Sequence, residues 1–96
     1  MIEHTVTFSL KHGADSPEEK EFLDAAAELS TIPKVSDFCI RRQISPKNSH
    51  EFGISMKFPN AAELQAYSNH PMHQAFIEER WLSEVSDFQE ADFEAL

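Results

Sequence analysis

The chain is poor in the residues that most often announce a chemistry. It has one cysteine, Cys39, in 96 residues. A lone thiol forms no internal disulfide, so the sequence reads as a protein of a reducing compartment, the cytoplasm. It has two glycines, and neither belongs to a phosphate-cradling loop, so no cofactor is expected. Basic residues are scarce: 8 Lys and Arg stand against 17 Asp and Glu, for a net charge of −9. That balance argues against nucleic acid and against an anionic membrane surface. No apolar run approaches the roughly 20 residues needed to span a bilayer. The opening "MIEHTVTFSL" has neither a basic n-region nor a cleavage pattern. Repeats, low-complexity segments and linkers are also missing, so residues 1–96 read as a single domain.

What is present is patterning. With 41% apolar residues and 8 Phe the chain can build a core, though a small one that gains from burial against a second copy. "IEHTVTFSL" alternates: Ile2, His4, Val6, Phe8 and Leu10 share one face of a half-buried strand. "SPEE" opens a helix, with Ser16 as cap, Pro17 at the first helical position and Glu19 closing a capping box. Pro33 ends it. "VSDFCIRRQI" predicts a second strand with Phe38, Ile40 and Ile44 on one face, and "EFGISMKF" a third with Phe52, Ile54, Met56 and Phe58 alternating. The loop "SPKNSH" between them makes a hairpin. Asn60 caps a helix running to about residue 68, with Glu63 three residues on. Pro71 breaks it and starts a second piece over roughly 71–82. The acidic tail "VSDFQEADFEAL" supplies a final strand of poor pattern. The order β-α-β-β-α-β predicts an α+β, ferredoxin-like antiparallel sheet with both helices on one face. The other face carries mixed residues such as Glu3, Thr5, Thr7, Cys39, Arg41 and Ser55. It is either solvated or set against the same face of a second subunit.

Four pieces of the chain, in order, resemble the stress-responsive A/B barrel (Dabb) family. They are "IEHTVTFSLK", "IPKVSDFCIRRQISPKN", the Phe-bearing third strand and "AYSNHPMHQAF". The resemblance spans nearly the whole chain; only the tail is less apolar than the family's last strand. It implies a homodimer in which two ferredoxin-like sheets close into one α+β barrel. A plant polyketide cyclase of that fold uses a histidine and a tyrosine as an acid-base pair, and the matching positions here are His73 and Tyr67. Its first-strand histidine matches His4. Two further polar pocket positions match Ala26 and Phe52, which implies a more apolar pocket and a different substrate.

The residues themselves leave alternatives open. His4 lies on the core face of its strand, as a hydrogen-bonded core histidine or as a pocket-lining imidazole. His73 stands one turn before Phe76 and Ile77 and shares their face; histidine exchanges protons near neutral pH. Tyr67 is either an acid and oxyanion donor or a core aromatic with its hydroxyl at the edge. Trp81 is core, or a lid over a cavity. His70, before Pro71, suits a cap. A metal reading would gather His70 and His73 with His4 or Glu63, but the usual zinc spacings are missing, so no metal is expected. His12 and His50 are expected in solvated loops. Three functions follow. One is an enzyme acting on a small carbonyl or phenolic compound, as a cyclase, isomerase or lyase through His73, Tyr67 and His4, with Ala26, Phe52, Phe76 and Trp81 around the ligand. The second is a non-catalytic ligand-binding or stress-protective dimer, and the third a purely structural barrel.

Overall fold

Strand β1 (Ile2–Leu10) is one of the two inner strands of a four-stranded sheet. A computed structural model describes all 96 residues, and in it Val6, Phe8 and Leu10 are buried while Glu3, Thr5, Thr7 and Ser9 look outward. β1 pairs antiparallel with β3 (Phe52–Phe58) on one side and β4 (Val85–Glu94) on the other. β2 (Ser36–Arg42) joins β3 as a hairpin, which gives the order β2-β3-β1-β4. The fold is the ferredoxin-like α+β arrangement expected from the sequence.

The helices cover one face. Helix α1 (Pro17–Ala27) starts at Ser16, whose hydroxyl accepts the Glu19 N–H at 3.2 Å. The Glu19 carboxylate reaches one residue further back than a capping box would, to the Asp15 N–H at 3.3 Å. A 3₁₀ turn (Glu28–Thr31) leads to the stop at Pro33. Helix α2 (Ala61–Asn69) is capped by Asn60, which accepts the Glu63 N–H at 3.0 Å. After Pro71 the chain forms α3 (Pro71–Phe76), a π-helical turn (Ile77–Trp81) and α4 (Leu82–Glu84). The core runs between these helices and the inward face of the sheet. Phe8, Phe22, Phe76 and Trp81 meet there with ring centroids 5.1–6.3 Å apart. Aromatic pairs at this spacing add to the area they bury.

Three features differ from expectation. β2 ends at Arg42, and Ile44 is exposed instead of buried. The cause is Gln43, whose side-chain amide donates to the carbonyls of Asn48 and His50 at 2.9 and 2.7 Å and folds the loop away from the sheet. Second, the acidic tail is the longest strand. Its register sets Phe88, Glu90 and Asp92 opposite Phe8, Val6 and His4, so two carboxylates share the inward face. Third, His12 and His50 are not solvated. His12 Nε2 donates to Glu84 at 2.7 Å. His50 accepts the Thr7 hydroxyl at Nδ1 (2.7 Å) and donates from Nε2 to Asp87 (2.8 Å), with 9% of its side chain exposed. It thereby ties β1, the hairpin loop and β4 together on the uncovered face. His50→Ala removes both bonds and should cost about 1–3 kcal/mol, read as a lower urea midpoint. A variant of wild-type stability would show the tie to be ornamental.

Candidate functional site

The break between α2 and α3 builds the site. Pro71 has no N–H and cannot continue the helix. His70 takes an extended backbone (ψ 136°), and its Nδ1 accepts the Met72 N–H at 3.1 Å. In an unbroken helix that N–H would have gone to the carbonyl of Ser68. Here the Ser68 carbonyl instead accepts from Nδ1 of His73 at 3.1 Å. A carbonyl oxygen cannot donate, so the proton of neutral His73 resides on Nδ1 and the lone pair on Nε2.

His4 is held the same way from the sheet. Its Nδ1 donates to Oδ1 of Asp92, directly across the β1–β4 ladder, at 2.5 Å. Tyr67 lies between the two imidazoles. Its ring centroid is 4.6 Å from that of His73 and 6.1 Å from that of His4. Phe58 supports it from below at 5.2 Å. Every fully buried side-chain nitrogen and oxygen has a partner. The Tyr67 hydroxyl and the Nε2 atoms of His4 and His73 take none within the chain, so they open onto solvent-sized space.

That space is a cavity of about 390 Å³ between sheet and helices. His4, Tyr67 and His73 line it together, with Phe76 and Trp81 among its apolar walls. The π-helical turn sets Ile77, Trp81 and Leu82 against it. Such turns insert one extra residue per helical turn and are frequent at functional sites. Ala26 and Phe52 do not line it. Ala26 is fully buried on the inward face of α1, and Phe52 packs on Phe8 with the Arg42 guanidinium 5.4 Å above its ring. The apolar character of the cavity therefore does not come from those two positions. Glu90 and Phe88, which sequence reasoning missed, do line it. The available clue was the even-numbered phase of the tail, Phe88-Glu90-Asp92, which matches the His4-Val6-Phe8 face once the strands are paired. His70, His73, His4 and Glu63 do not converge, and no group of three or more His, Cys, Asp or Glu could hold a metal.

The electrostatics divide the roles. Burial lowers the His73 pKa below its ordinary 6.5, and His4 nearby lowers it further. The Ser68 carbonyl and the Glu90 charge oppose this in part. His73 is thus a neutral imidazole at neutral pH, with its lone pair toward the cavity. Burial, aided by Glu90, raises the Tyr67 phenol well above its ordinary value. Tyr67 stays protonated and can donate a hydrogen bond or a proton; it is not a base.

Comparison with known proteins agrees with this architecture. Residues 2–95 match the Dabb family, described as the Stress Responsive A/B Barrel Domain. A Dabb family protein with a ferredoxin-like fold from Mesorhizobium loti is 49% identical, with a TM-score of 0.96 over 99% of this chain and 96% of that one. A dimeric ferredoxin-like protein of unknown function from Thermobifida fusca shares the fold at 18% identity and a TM-score of 0.76, over 98% of this chain and 90% of that one. The hydroxynitrile lyase of Passiflora edulis does so at 12% identity and a TM-score of 0.81, over 96% and 90% of the two chains. No curated protein matches. The chain belongs to the Dabb family.

The lowered His73 pKa has a consequence for stability. The unfolded chain binds more protons at this residue than the folded one between the folded pKa and about 6.5. Stability against unfolding should therefore rise with pH through that window and be lost as acidification carries the pH down through it to the folded pKa. His73→Gln should flatten this part of the profile, measured by urea unfolding at a series of pH values from 5 to 7.5. An unchanged slope would mean that His73 is not the group responsible.

Proposed function

We propose, from the premise of a Dabb family chain, that this protein is a homodimer whose protomers each bind a small carbonyl or phenolic molecule in the His4–Tyr67–His73 cavity and catalyse a proton transfer on it. One observation carries the reading. Three proton-handling groups face one cavity, each with its reactive atom free and its other contacts fixed. In the simplest cycle Nε2 of His73 removes a proton from the carbon next to the ligand carbonyl. Tyr67 donates a hydrogen bond to the carbonyl oxygen as negative charge develops there, the role of an oxyanion donor. His4, held by Asp92, is the positioning partner on the opposite wall. The proton on His73 is then delivered to the product, so nothing is consumed and no cofactor is called for. Aldol-type cyclisation, keto–enol isomerisation and β-elimination of a carbonyl compound share this first step.

The dimer part of the proposal rests on the uncovered sheet face, where Thr5, Thr7 and Ser55 are only half-buried and Phe93 is 56% exposed. It is supported by relatives described as dimeric. No helix is long and apolar enough to cross a membrane, in keeping with a cytoplasmic role. The alternative is a dimer that binds the same class of ligand without turning it over. It is favoured by a cavity wall made mainly of side chains with no chemistry of their own, such as Val6, Ile54, Met56 and Phe76.

Histidine NMR titration with a panel of small aromatic and polyketide-like carbonyl compounds tests binding: the His73 resonance should move on addition of a true ligand. With that ligand as substrate, His73→Ala should lower turnover by roughly 10²–10⁴-fold, and Tyr67→Phe should lower it less, both as folded dimers. Binding without turnover in the wild type selects the alternative. Unfolding of His73→Ala would make the residue structural, and a monomer in sedimentation at micromolar concentration would sink the dimer.

A further inference from the structure

Glu90, exposed on β4, is the one carboxylate on the cavity wall, and no cationic side chain pairs with it. It stands opposite Val6 in the β1–β4 ladder, on the inward face of β4. The ion pairs of the chain engage Asp24, Asp37, Glu84, Asp87 and Asp92, and not Glu90. Asp92, the next carboxylate along the same face, is already committed to the His4 N–H. No lysine or arginine lines the cavity. The charge of Glu90 is felt by both Tyr67 and His73, so it lies close to the groups that would touch a ligand. The aromatic rings of Trp81, Phe88, Tyr67 and Phe76 line the same cavity. Trp81 and Phe88 are packed edge-on, with centroids 5.5 Å apart.

We propose that this cavity selects ligands that carry a protonated amine on an aromatic or apolar body, with Glu90 as the residue that determines the choice. The inference rests on the reading above that the cavity binds small molecules, and it narrows the ligand class. An ammonium group gains twice here, from the unpaired carboxylate and from the electron-rich ring faces. A carboxylate ligand is opposed twice, by repulsion from Glu90 and by the lack of any cation to receive it. A volume of about 390 Å³ is at the lower end of ligand pockets, which run from about 300 to 1,000 Å³, and suits one ring with a short chain. With its amine at Glu90, such a molecule has the rest of its chain beside Tyr67 and His73. An amine that also bears a carbonyl would thus be oriented for the proton transfer.

Three near-isosteric probes separate the terms: 2-phenylethylamine, 2-phenylethanol and phenylacetate. Trp81 is the only tryptophan and lines the cavity, so its fluorescence reports binding. The amine should bind about tenfold more tightly than the alcohol, and the acid more weakly than either. Glu90→Gln should bring the amine down to the alcohol while leaving the alcohol unchanged, which also shows that the variant is folded. The amine advantage should shrink as salt is raised. Binding of the alcohol with no preference for the amine, or a preference that survives Glu90→Gln, overturns this inference and spares the cavity reading. Failure of all three probes to bind overturns both.

Discussion

A proline ring governs the site. Pro71 holds the preceding His70 in an extended conformation, so the helix capped by Asn60 stops, and the carbonyl of Ser68 loses the Met72 N–H that a continuous helix would have given it. The His73 ring takes that place. One backbone acceptor thus fixes the tautomer of the imidazole, its orientation against Tyr67 and the direction of its lone pair. His70 completes the arrangement by receiving the Met72 N–H that was displaced. The neutral, outward-looking His73 is a product of helix geometry as much as of residue identity.

The opposite wall obeys a different constraint, the register of two strands. His4 meets Asp92 only because β1 and β4 pair with those residues opposed, and the same phase sends Glu90 to the cavity. A slip of β4 by one residue would turn Glu90 and Asp92 to the other face, away from His4. The His50 tie between Thr7 and Asp87 guards against that slip. Trp81 belongs to both regions. It packs on Phe8 in the core, with centroids 5.1 Å apart, and on Phe88 at the cavity. Movement of the cavity wall is therefore coupled to the aromatic core.

Local chemistry is what the sequence revealed best. The alternation of β1, the Ser16 and Asn60 caps, and the His70–Pro71 break all follow from neighbours a few residues apart. So does the grouping of Tyr67 with His73. The placement of His4 beside them was expected from its strand face together with family resemblance. The features that escaped depend on distant partners. His12 and His50 sit in segments that look like solvated loops until the end of α4 brings Glu84 to one and β4 brings Asp87 to the other. β4 itself reads poorly because its inward face carries Glu90 and Asp92. Those residues are polar because a cavity, and not dry core, lies above them. Ala26 and Phe52 were matched to pocket positions by sequence order alone, and packing put them behind the wall.

β4 is also an edge of the sheet, ten residues long, with one row of backbone groups unpaired. Long open edges invite strand addition and fibre growth. Here the edge bears Asp87, Glu90, Asp92 and Glu94, so a second β4 laid against it would set carboxylate near carboxylate. Glu90, the carboxylate on the cavity wall, thereby acts with Asp87, Asp92 and Glu94 as a gatekeeper against polymerisation. Variants that exchange them for apolar residues to reshape the ligand site would surrender solubility at the same stroke.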